Sequence, residues 1–302
     1  MSSDELVNEV MERLKEQGFL TQRQIIAPCQ ESGLSLKDPR MISILDKNDS
    51  RYYEKMQKII EDHAIEASIC KVLGSQALAF CVDESVQIFG GAGFIEEYPV
   101  AGFYRDERIN RIFEGTNEIN RLIISGTVLK KAILEELPIR DQIYHRMDEW
   151  LPTLTFSDDH ELSVEISVIE LSRSLMLYIL HELILKYGQD LKNEQWALEP
   201  FADVVISLSV MQMGFARYNQ LDDGIHKNKM NPIVRYSIYK NFNILRDRIN
   251  MLIPYIFDNL RVKDTMDVIN NKINDLNYNP NSIELKKDIC TELYKHGKYY
   301  LD

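Results

Sequence analysis

The stretch VDESVQIFGGAGFIEEYPVAGFYRDERINRIFEGTNEINRL, Val82 to Leu122, decides how this chain is read. It joins a glycine-bracketed turn, Gly90-Gly91-Ala92-Gly93, to a carboxylate on a second turn, Glu114-Gly115-Thr116. Strongly helical spacing flanks both turns. Polar groups set in interruptions of an apolar helical scaffold are a common way to build a site. Glu114 lies between bulky Ile112 and Phe113 on one side and Gly115 on the other. Such neighbours predict partial desolvation, which raises a carboxyl pKa and makes a stronger base. Gly115 lets backbone approach a ligand closely. Thr116 or Asn117 would cap the next helix, whose N-terminus attracts a phosphate or a polarised carbonyl. On these residues alone a second reading stands beside the first: Glu114 is a residue of a first helical turn, stabilised by the macrodipole.

Outward from this stretch the pattern stays helical. Residues 51 to 88 contain no proline and one glycine, Gly74, and predict one long helix. Its buried face is Ile59, Ile65, Ile69, Val72, Ala79, Val82 and Val86. Pro99 suits the first turn of a helical piece from about Tyr98 to Arg111. A helix from Asn117 to about Leu134 follows, before Pro138. Further on, Ser157-Asp158 caps a helix reaching Tyr187-Gly188, with Val164, Val168, Leu171, Leu175 and Tyr178 as its apolar stripe. Other helices run from about Leu191 to Gln220, Pro232 to Phe257 and Ser282 to His296, with breaks at Asn231-Pro232 and Asn279-Pro280. No strand pairing and no repeat is visible. The fold class is all-α: a small helical segment over 1–50, a helical bundle over 51–137 and a second helical domain over 138–302.

Composition narrows the function classes. Hydrophobic residues make up 45% and charged residues 27% of the 302, as in ordinary globular proteins. The net charge of −12 argues against general nucleic-acid binding, which needs a basic face. Cys29, Cys70, Cys81 and Cys290 form no CxxC pair, and buried, reduced thiols are expected. The histidines show no metal-ligand spacing, and no metal is expected. The start, MSSDELVNEVMERL, reads neither as a signal peptide nor as an Arg-rich transit peptide. No uninterrupted apolar run suits a membrane span. Ile166 to Leu185 comes nearest, broken by Glu170, Arg173, His181 and Glu182. A cytoplasmic chain without a transmembrane segment is expected. Arg105-Asp106, Arg108 and Arg111 read as a surface ion-pair network or as a contact for nucleotide phosphates or a partner. Arg121 reads as one half of a structural ion pair.

VQIFGGAGFIEEYPV and RIFEGTNEINRL closely resemble the C-terminal catalytic segment of acyl-CoA dehydrogenases, over about residues 51 to 135. In that family a base takes a proton from Cα of an acyl-CoA while a hydride leaves Cβ for flavin N5. The resemblance implies that Glu114 is this base. It implies that the Glu114 backbone N–H polarises the thioester carbonyl, and that Phe113 and Gly115 line the substrate. Gln87-Ile88-Phe89-Gly90-Gly91 resembles the element that meets FAD across the family's dimer interface. Thr116 and Glu118 match positions that touch flavin. A glutamate at this place is similar to the short-, medium- and very-long-chain branches. Residues 140 to 302 resemble, in position and helical character, the extra C-terminal domain of the very-long-chain branch.

Nothing before residue 51 resembles the family's N-terminal helical domain or its middle β-domain, which carries most flavin and thioester contacts. The expectation is a homodimer or a hetero-assembly with a flavin-bearing half, binding FAD and acyl-CoA, with the isolated chain inactive. The alternative is a non-catalytic helical interaction or scaffold protein derived from a dehydrogenase. Separately, ESGLSLKDPRM (31–41) resembles the N-terminal helical module of kidney-type glutaminases, without that family's catalytic serine–lysine motif downstream.

Overall fold

The computed structural model describes residues 50–134, 161–221 and 224–297. The expectations placed on the first 49 residues, on Pro138 and on Ser157-Asp158 lie outside them. Every regular element among the described residues is a helix, as the spacing predicted. They form two compact units, divided in sequence between Lys130 and Lys131.

The first unit begins with α1 (Tyr52–Asp62) and α2 (Ala64–Phe89). The single helix expected over 51–88 is broken at His63, whose backbone leaves helical geometry (φ −105°, ψ 9°). Its ring Nδ1 hydrogen-bonds with the Ile59 carbonyl oxygen at 2.9 Å. No proline or glycine marks the spot, so the sequence gives no signal for the break. On α2 the expected face is largely confirmed: Ile65, Ile69, Val72 and Val82 are buried, with Ala79 and Val86 half-buried. After Gly90 come a single helical turn α3 (Gly91–Phe94), α4 (Pro99–Glu107), a 3-10 turn (Arg108–Arg111) and α5 (Asn117–Ile133). Pro99 opens α4 as predicted. The turn α3, helix α4 and the 3-10 turn all pack on α2. Gly93 makes this possible, because a Cβ there would lie 2.7 Å from the Val86 carbonyl oxygen and 2.8 Å from Phe89 Cβ.

The second unit holds α6 (Ser163–Tyr187), a 3-10 turn (Gly188–Asn193), α7 (Gln195–Asn219), α8 (Ile225–Ile256), α9 (Asn259–Asp275) and α10 (Ser282–His296). Helices α7 and α8 pack on each other, α6 packs on both, and α9 and α10 pack on α8. Val168, Leu171, Leu175 and Ile179 of α6 are buried, as are Phe201 and Leu208 of α7 and Ile238 and Leu245 of α8. Two readings need correction. Pro232 lies inside α8, past its first turn, rather than at a break, and the helix continues through it without that N–H. Helix α9 was not foreseen. Asp258 caps it by accepting from the N–H groups of Leu260 and Arg261 at 3.2 and 3.0 Å.

Cys70, Cys81 and Cys290 are free and exposed, so the expectation of buried thiols fails for these three. By length and composition alone, α2 and α7 are apolar enough to cross a membrane. The expectation of no such segment rested on uninterrupted runs, whereas here scattered polar residues leave the mean hydropathy high. Most of the apolar stretch of α7 is buried, as in the core helix of a globular unit, and a third of that of α2 is. Among the described residues no group of His, Cys, Asp and Glu could hold a metal ion.

Candidate active site

The Glu114 turn is built from both sides. The 3-10 turn ends with the N–H groups of Ile112 and Phe113 both donating to the Ile109 carbonyl, at 2.8 and 3.0 Å. The chain then takes two left-handed steps, Glu114 at φ 53° and Gly115 at φ 79°. A glutamate in that region pays about 1–2 kcal/mol, from Cβ crowding the following carbonyl. Gly115 has no Cβ to crowd, and one would sit 3.2 Å from Asn120 Nδ2.

Hydrogen bonds hold this pair in place. The Gly115 carbonyl accepts from Lys71 Nζ at 2.7 Å and from Asn120 Nδ2 at 2.9 Å. Lys71 Nζ also donates to Asn117 Oδ1 at 2.8 Å. Asn117 Nδ2 donates to Ser75 Oγ at 2.9 Å, and the Ser75 hydroxyl donates to the Val72 carbonyl at 3.1 Å. Ser75, Asn117 and Asn120 are buried. Thr116 Oγ1 accepts from the Ile119 N–H at 3.2 Å and so caps α5, one of the two caps expected.

Glu114 itself is exposed, and Ile112 and Phe113 are 48% and 45% exposed. The desolvation expected from these neighbours is therefore not supplied by the described residues. A dry environment for this carboxylate needs a ligand or further protein surface. Glu118 differs. Its own backbone N–H and the Thr116 hydroxyl hold its carboxyl below the usual range, helped by the charges of Arg121 and Lys71. The N-terminus of α5 thus already holds an anion, so the predicted pull on a phosphate is largely spent on Glu118.

The remaining candidates stand elsewhere. Gln87, Ile88, Phe89, Gly90 and Gly91 are all exposed at the C-terminal end of α2. Gly90 takes φ 58°, ψ −138°, a combination open to glycine. Lys71, which grips the Glu114 turn, lies 18 residues before Phe89, about 27 Å along the helix axis. The two turns therefore sit at separate levels of α2 and do not form one compact site. Arg105 pairs with Glu96 at 3.1 Å, and Arg111 with the buried Glu107 at 3.2 Å, as an ion-pair network requires. Arg121 Nη1 donates to the Asn117 carbonyl at 3.4 Å. Sequence reasoning missed Lys71, Ser75 and Asn120. The available signal was that Lys71 is the single Lys or Arg of α2.

Residues 50–129 match the family model of the acyl-CoA dehydrogenase C-terminal domain. Among particular relatives, a probable acyl-CoA dehydrogenase of Bacillus subtilis (strain 168) is 40% identical over 173 residues, covering 57% of this chain and 29% of that protein. The mitochondrial very long-chain specific acyl-CoA dehydrogenase of Bos taurus is 31% identical over 176 residues, 52% of this chain and 27% of that one. The crystal structure of an acyl-CoA dehydrogenase complexed with FAD from Bacillus anthracis superposes with a TM-score of 0.76 at 26% identity. That match covers 94% of this chain and 53% of the other. The chain thus spans under a third of these two sequence relatives and about half of the solved structure.

Proposed function

We propose that this chain is the base-bearing part of an acyl-CoA dehydrogenase, acting in α,β-dehydrogenation of fatty acyl-CoA together with a flavin-bearing half. One observation carries the reading. Within the family-matched segment, Glu114 is an exposed carboxylate on a backbone turn held against its own preference by Lys71 and Asn120. Strain maintained by surrounding bonds marks a position where geometry serves something other than stability.

FAD is the cofactor this family implies, and the residues present fit one wall of its site. Exposed Ile88 and Phe89 beside the bare backbone of Gly90 and Gly91 suit a flat, partly apolar ligand. Thr116 offers a hydroxyl. Glu118, held anionic, suits a donor group and not a phosphate. When bound, FAD supplies the hydride acceptor. The 27 Å or so between the two turns matches a division of labour in which Gln87–Gly91 serve a different copy's cofactor from Glu114. The exposed apolar side chains of the first unit, Ile88 at 80% and Phe94 at 82% among them, support burial in a homodimer or hetero-assembly.

The chain's own residues then have these roles. Glu114 takes the Cα proton onto its carboxylate. Its backbone N–H donates to the thioester oxygen as negative charge develops there. Phe113 lies along the acyl chain, and the bound acyl chain excludes water and supplies the desolvation that the described residues lack, while Gly115 leaves room for the thioester. In a preparation that turns over acyl-CoA, Glu114→Gln should lower kcat by about 10²-fold or more, with flavin absorbance unchanged. Turnover at the wild-type rate would remove Glu114 from this role. It would favour the second reading, a scaffold derived from a dehydrogenase, to which the exposure of Glu114 already lends itself.

A further inference from the structure

We propose that Lys71 is the positioning residue of this site: its ammonium fixes the peptide group between Gly115 and Thr116 and so keeps the Glu114-Gly115 turn in its left-handed conformation. The inference rests on the reading of Glu114 as the base. The Gly115 carbonyl has two lone pairs, and both are taken, by Lys71 Nζ at 2.7 Å and Asn120 Nδ2 at 2.9 Å. With both filled, the carbonyl has no freedom to swing. The bond from Lys71 is charge-assisted, the stronger kind.

The ammonium is itself fixed. Its second bond, to Asn117 Oδ1 at 2.8 Å, ties it to the start of α5. Asn117 is held in turn by Ser75, one turn along α2 from Lys71. The turn is thus backed by a 26-residue helix at two successive levels. A lysine suits this place because a point charge with three donors serves a carbonyl and an amide oxygen from one side. The planar fork of arginine matches a carboxylate instead.

The geometry links this grip to chemistry. Glu114 at φ 53° has a standing preference to relax toward negative φ. Such a relaxation rotates the peptide groups on both sides of it, displacing the carboxylate and the backbone N–H together. A misplacement of about 1 Å in a positioned group costs about 10²-fold in rate. Lys71 touches neither substrate nor cofactor in this scheme and acts through Glu114.

The test uses the full chain and a glutamate-specific protease. Cleavage of the Glu114–Gly115 bond is followed by mass spectrometry, with cleavage after the exposed Glu96 and Glu97 as internal reference. In Lys71→Met, cleavage at Glu114–Gly115 should quicken about tenfold while the reference sites hold their rate, because one local opening has become easier. Equal cleavage in variant and wild type overturns the proposal. If Lys71→Met quickens the reference sites as well, the fold has been lost, and Lys71→Arg carries the test. That variant keeps the cation but not the two-acceptor geometry, so acceleration at Glu114–Gly115 alone supports the proposal and no acceleration overturns it. In a preparation that turns over acyl-CoA, the same variant should lower kcat with KM held and enlarge the isotope effect of deuterium at Cα. A change in KM alone contradicts a positioning role. Absence of turnover in the wild type counts against the dehydrogenase reading, whereas the protease result still decides the grip of Lys71.

Discussion

Glu114 occupies backbone that its neighbours, not its own chemistry, select. That has a measurable consequence at the level of the single residue. Glu114→Gly removes the Cβ responsible for the left-handed cost and should raise the stability of the first unit by roughly 1 kcal/mol, while deleting the carboxylate proposed as the base. A thermal melt checks the first half, and a lower melting temperature would contradict the strain. The turn at Glu114-Gly115 and the Thr116 cap were legible in the sequence. What holds them was not. Lys71 and Ser75 lie more than 40 residues away in the chain, and local pattern carries no information about which distant polar group meets which. The desolvation argument failed for the same reason. Ile112 and Phe113 are apolar neighbours in sequence, but burial is set by what packs over a residue, and these side chains are exposed.

At the level of elements, apolar periodicity found the long helices because a buried face must repeat with the helical turn. It failed where the helix boundary depends on something else. His63 breaks α1 from α2 with no glycine or proline, and Pro232 does not break α8 although proline ordinarily would. The pairing of α6 with α8 was invisible, and it sets a pH dependence. Glu165 of α6 is buried against Arg235 of α8, with Arg235 Nε 3.4 Å from its carboxylate. Burial pushes the Glu165 carboxyl up, more than Arg235 draws it down. The folded state therefore binds this proton more tightly than the unfolded state. Between the ordinary glutamate pKa and the raised one, stability should fall as pH rises. Melting temperature followed upward from pH 4.5 should show that decline in the wild type and a flatter profile in Glu165→Gln. An identical slope in both would contradict the assignment to Glu165.

For the whole molecule, the all-α class was legible and so was the family likeness of about residues 51 to 135, of which the family model matches most. Neither the α2–Glu114 network nor the roughly 27 Å between the two turns was. That spacing matters most for the proposed function, because it places Glu114 and the glycine turn too far apart to close around one small ligand. The first unit presents one wall of a site, with apolar side chains exposed around it. On the proposed reading, acyl-CoA oxidation belongs to an assembly. The most direct measurement is the visible spectrum of the chain purified from its native cell, before and after adding an acyl-CoA, beside the same chain produced alone. Flavin absorbance that bleaches with acyl-CoA, in a preparation holding a second, flavin-bearing polypeptide, is the expected result, with the chain produced alone colourless. A native preparation without flavin absorbance or acyl-CoA-dependent bleaching would contradict the dehydrogenase assignment, and a yellow, active chain produced alone would contradict the need for a second half.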